Sequence, residues 1–89
     1  MNREDFSPAR AHVVLTTGET IKMLRELKGW TQVELSTFSS LNAKNISLLE
    51  KDRVEIGKRR AVQLAKAFGI HPAIIMFPEY EAEQIERVA

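Results

Sequence analysis

The chain has 89 residues, 44% of them hydrophobic and 28% charged, which describes one small globular domain with an adequate but thin core. It has no cysteine, which excludes disulfides, thiolate zinc sites and cysteine nucleophiles, and its longest apolar run, Ile70 to Phe77, is interrupted by His71 and Pro72 and too short to span a bilayer. The net charge of +1 hides a gradient: residues 79–89 set Glu79, Glu81, Glu83 and Glu86 against Arg87, whereas Lys28 to Lys66 sets eight cations against four acids, as an anionic partner for the body would require.

The N-terminus, MNREDFSPAR, lacks the apolar segment of a secretory signal, so a cytoplasmic protein is expected. Residues 1–16 read as an irregular arm ending in the β-branched run from His12 to Thr16. Thr16-Thr17-Gly18-Glu19 has capping-box spacing and opens a first helix, with Ile21, Leu24 and Leu27 at helical intervals and Gly29 to close it. Thr31 caps a short second helix whose expected apolar contacts are Val33, Leu35 and Phe38; Ser39-Ser40-Leu41 is a tight turn. Asn42 caps a third helix, Ala43 to Lys51, with Ile46 and Leu49 facing inward. After a loop from Asp52 to Gly57, residues Lys58 to Phe68 form the clearest helix, with Ala61, Leu64, Ala65 and Phe68 along one stripe. His71-Pro72 opens a fifth helix and Pro78 stops it. Only the arm reads as strand, so the fold class is all-α, five short helices around one core.

Ser36, a small residue midway along the second helix, allows the third to cross closely. Ser40 must supply a positive φ in the turn, at a cost on the order of 1 kcal/mol. Thr31-Gln32-Val33-Glu34-Leu35, Leu41-Asn42 and Asn45-Ile46-Ser47-Leu48-Leu49-Glu50 together resemble the helix-turn-helix of the lambda-repressor/Cro family, the Xre-type regulators. The likeness runs from about Gly18 to Phe77 and includes Leu64-Ala65-Lys66-Ala67-Phe68-Gly69-Ile70, similar to the family's fourth helix and its exit. It departs at Ser40, where Gly is usual, at Ser36, where Ala is commoner, and at Asp52, another frequent Gly position.

The resemblance implies a lambda-repressor-like DNA-binding domain over 17–78, flanked by the arm (1–16) and an acidic tail (79–89). It places the helix from Ala43 to Lys51 in the major groove, with Asn42, Ala43, Lys44, Asn45, Ser47 and Leu48 as base-facing candidates. Lys44 can donate to guanine, Asn45 can pair with adenine, Ala43 offers only a methyl group, and Leu48, where polar residues are common, is either core-facing or an apolar contact. Gln32 would contact a phosphate and brace the recognition helix, while Lys51 and Arg53 would contact backbone. Asp52 puts an anion between them, and Lys28 with Lys58-Arg59-Arg60 could extend the phosphate footprint, although a solvated face explains the latter equally well.

Other residues have plainer readings. Trp30 is a core or edge plug, His71 a helix cap or packed edge, and Glu26 and Glu50 isolated carboxylates. There is no nucleophile–base pair, metal cluster or phosphate-cradling glycine loop, so no enzyme, metal or cofactor is expected. Ile74, Ile75 and Phe77 crowd a single-turn helix with apolar side chains and suggest a homodimer seam, a thin core being the rival use. The expected function is therefore a homodimeric transcriptional regulator, a repressor of a palindromic operator. The ending from Gly69 to Pro78 is similar to antitoxins of the host-inhibition-of-growth type, which bind a toxin partner. The alternative is a module of the same fold that binds a partner protein and reads little DNA.

Overall fold

The computed structural model describes residues 15–78, so the arm through residue 14 and the tail 79–89 lie outside the described residues. Within them the chain forms five helices and no strand: α1 (Thr17–Leu27), α2 (Gln32–Ser39), α3 (Ala43–Glu50), α4 (Gly57–Phe68) and α5 (Pro72–Met76). The all-α, five-helix architecture is the one expected. Against expectation, α4 starts one residue earlier, and α3 ends one earlier with Lys51 as its cap.

Local chemistry explains the helix starts. Thr16 and Glu19 form a reciprocal capping box at α1, as Thr31 and Glu34 do at α2, each satisfying two amides that the helix cannot. The Oδ1 atom of Asn42 accepts the Asn45 N–H at 2.7 Å and starts α3. At α5, His71 Nδ1 accepts the Ala73 N–H at 3.0 Å, so His71 is a cap. Ser40 closes α2 in the left-handed region, φ 67°, where the turn of a helix-turn-helix demands it.

The helices enclose a core of Ile21, Leu35, Ile46, Leu49, Leu64, Phe68 and Ile75 with smaller neighbours. Each fully buried aliphatic side chain is worth about 1.5–3 kcal/mol. Helix α4 packs against α5 and α2, and α3 packs against α1 and α2. Gly18 permits the α1–α3 approach: a Cβ there would collide with the Leu49 carbonyl oxygen and stand 2.7 Å from that of Glu50.

Three apolar expectations need correction. Leu27, the last residue of α1, has passed the edge of the core and is 76% exposed. Val33, 66% exposed, lies on the side of α2 opposite the buried Leu35. Phe38 is also exposed and turns to Trp30, its ring centroid 4.5 Å away, rather than inward. Trp30 itself plugs the edge of the core, stacked on Phe68 at 6.0 Å. A fourth concerns Ile75, which is fully buried and belongs to the core, not to an exposed seam.

Candidate nucleic-acid interface

Helix α3 divides along its circumference. Ile46, Leu49 and Glu50 are buried, and the opposite side carries Lys44, Leu48 and Lys51. Glu50 is the unusual member of the inward side. Its carboxylate accepts Arg25 Nε at 2.6 Å and Nη2 at 3.0 Å, a two-point pairing, and also Gln32 Nε2 at 3.0 Å. The remaining guanidinium nitrogen, Nη1, donates to the Trp30 carbonyl at 2.8 Å. The pair is secluded, with side chains 12% and 4% exposed, so four hydrogen bonds tie α1, the α1–α2 turn, α2 and α3 together. The bond to Glu50 raises the Arg25 pKa above its ordinary value, outweighing the opposing effect of burial. Glu50 is thus not the isolated carboxylate expected from the sequence. The available signal was its register: Glu50 lies four residues after Ile46, and Arg25 four after Ile21, so both polar groups fall on inward faces and need each other.

The exit of α3 is equally fixed. The Asp52 N–H donates to the Leu49 carbonyl at 3.0 Å and the Arg53 N–H to the Leu48 carbonyl at 2.9 Å, closing a Schellman motif with Asp52 at its left-handed position, φ 58°. That geometry is why glycine suits the site. Asp52 instead uses its side chain, accepting the Gly18 N–H at 2.9 Å and the Thr16 hydroxyl at 2.6 Å. It is therefore an anchor at the positive end of α1, which corrects its reading as an anion set between phosphate contacts.

The remaining candidate residues take these places. Gln32 is half-buried and braces α3 through Glu50. Asn42 is occupied as a cap, Ala43 and Ser47 are half-buried, and Lys44, Lys51 and Arg53 are exposed with no acidic partner among the described residues. Asn45 turns toward the start of α4, where it shares an open cleft of about 580 Å³ with Ser40, Lys58, Arg59, Arg60 and Gln63. Three cations at an N-terminus without a side-chain cap oppose the helix dipole, so they do not serve α4 itself. Lys28 is placed differently: its Nζ lies 5.8 Å from the Trp30 ring centroid. Half-buried Ile74 and 46%-exposed Phe77 remain at the surface of α5.

A braced helix with a cationic outer side, reached through a left-handed turn, is the arrangement that presents one helix to a DNA groove. Residues 21–75 match the model of a family described as helix-turn-helix. The chain belongs to the Xre/lambda-repressor-like helix-turn-helix family. No curated protein matches it. This helix-turn-helix protein is a DNA-binding domain of the transcription-regulator type. No helix among its described residues is long and apolar enough to cross a membrane.

Proposed function

We propose that the protein is a homodimeric transcriptional repressor that inserts α3 into successive major grooves of a two-fold operator. Lys44 and Ser47 meet base edges, Ala43 and Asn42 pack at the entry, and Lys51 and Arg53 hold phosphates. Gln32 keeps α3 in register through Glu50, Lys58 to Arg60 neutralise flanking backbone, and Asn45 adds a hydrogen bond beside them. The observation that carries this reading is the division of α3: its inward side is committed to the core through Ile46 and Leu49 and to the Arg25–Glu50–Gln32 network, while its cations have no acidic partner among the described residues. Ile74 and Phe77 supply the dimer seam, supported by half-buried Ile74 and exposed Phe77 standing beside a core already filled by Ile75.

The test is fluorescence anisotropy on DNA from upstream of the coding sequence against a scrambled duplex, over a salt series. The expected result is preference for the native duplex, two chains per site, and affinity that falls steeply with salt. A second reading, a module of this fold that binds a partner protein such as a toxin, is favoured by the exposed apolar side chains Leu27 and Phe38. Equal, weak binding to both duplexes would support it.

A further inference from the structure

We infer that the acidic segment 79–86 seats on cations of its own chain, Arg53 and the Lys58–Arg60 cluster, and competes with DNA for them. The inference rests on those cations belonging to the DNA-binding face. Helix α5 ends at Met76, and Met76 lines a cleft of about 460 Å³ together with Arg53, Val54, Glu55 and Ile56. Glu55 and Ile56 also line the neighbouring cleft that holds Lys58, Arg59 and Arg60. The chain therefore leaves α5 beside the loop that joins both groups of cations. Extended backbone covers about 3.3 Å per residue, so from Met76 the chain reaches about 10 Å at Glu79 and about 33 Å at Glu86. Both groups of cations fall within that span.

Charge supplies the attraction. Residues 79–89 carry four Glu and one Arg, a side-chain balance of −3. Arg53, Lys58 and Arg59 are exposed, Arg60 is half-buried, and none has an acidic partner among the described residues. Of the two acids lining these clefts, Asp52 spends its carboxylate on Gly18 and Thr16, and Glu55 offers one charge against four cations. Glu79, Glu81 and Glu83 fall on alternate residues, a spacing that in extended backbone turns side chains to one side about 7 Å apart. Exposed ion pairs are weak one by one, but a short tether holds such a row at a local concentration on the order of millimolar. A segment of the same sign as DNA thus occupies phosphate-binding cations until a duplex displaces it. It lowers the affinity for every duplex by the same factor and leaves sequence preference unchanged.

The chain has no cysteine, so Gln84→Cys gives a single site for a nitroxide label and keeps all four carboxylates. At low salt the label should broaden the amide signals of Arg53, Glu55 and Lys58 to Arg60 and spare those of Lys28 and Trp30. The effect should vanish at about 0.5 M salt, and also when Glu79, Glu81, Glu83 and Glu86 are all changed to Gln. In the unlabelled chain the same four changes should tighten DNA binding about tenfold at low salt. The gain should be equal for a duplex selected from a random pool by the full chain and for a scrambled one. The salt slope should steepen by about two, the equivalent of two uncovered phosphate contacts. Tighter binding without the broadening would reduce the segment to general repulsion and overturn the contact. Broadening with unchanged affinity would overturn the competition. Equal broadening of 15N chains by separately labelled chains would put the segment on a second copy and overturn the contact within one chain. Failure to enrich or bind any duplex, with the broadening intact, would overturn DNA reading by α3 and leave the contact standing.

Discussion

The two halves of α3 are built on different terms. Its C-terminal half is held at every polar atom that matters: Glu50 by Arg25 and Gln32, the exit by the Schellman bonds, and Asp52 by Gly18 and Thr16. Its N-terminal half carries one capping bond, accepted by Asn42, and then exposed Lys44, which has no acidic partner among the described residues. The difference shows how a short helix of eight residues can be both rigid and available. One end is fixed in three dimensions so that the other can spend its side chains on a ligand.

The sharpest way to break this contrast is Glu50→Ala. It leaves the Arg25 guanidinium secluded without its partner, and the folded state should lose about 3 kcal/mol in urea or thermal unfolding. Arg25 is cationic throughout the neutral range at its ordinary pKa, and the bond to Glu50 raises that value further. Stabilisation from the pair is thus present below the unfolded-state value and lost only as pH rises through the still higher folded one. Gly18→Ala attacks the same half through sterics. Pushing α1 off the Leu49 and Glu50 carbonyls should cost about 2 kcal/mol in the same assay. At the turn that leads into the available half, Ser40→Gly relieves the left-handed conformation and should raise stability by about 1 kcal/mol. Lys44→Ala is the smallest change to the fold, within about 0.5 kcal/mol of wild type, yet it should weaken selected-duplex binding about tenfold by anisotropy.

Much of the architecture was legible because the signals are local. The hydroxyl–carboxylate pairs at Thr16/Glu19 and Thr31/Glu34, the Asn42 cap and the stripe from Ala61 to Phe68 each act within a few residues. So does the strain at Ser40. The bracing network was not legible, because Arg25 and Glu50 are 25 positions apart and Asp52 and Gly18 are 34 apart. Their pairing follows from how α1 crosses α3. The apolar cluster of α5 was ambiguous for a related reason. A single-turn helix has too little length for periodicity to separate Ile75, which fills the core, from Ile74 and Phe77, which stay at its surface. For the interface, the helix and its bracing by Gln32 were legible but the duty of Asp52 was not: it turned out to anchor α1.

The central claim, that the free side of α3 reads DNA, is tested most directly by titrating the 15N-labelled chain with its selected duplex and following the backbone amides. The account predicts that the largest shifts fall on Lys44, Ser47, Leu48, Lys51 and Arg53, with Leu27, Trp30 and Phe38 little changed. Shifts concentrated on Leu27, Trp30 and Phe38, with α3 unmoved, would contradict it.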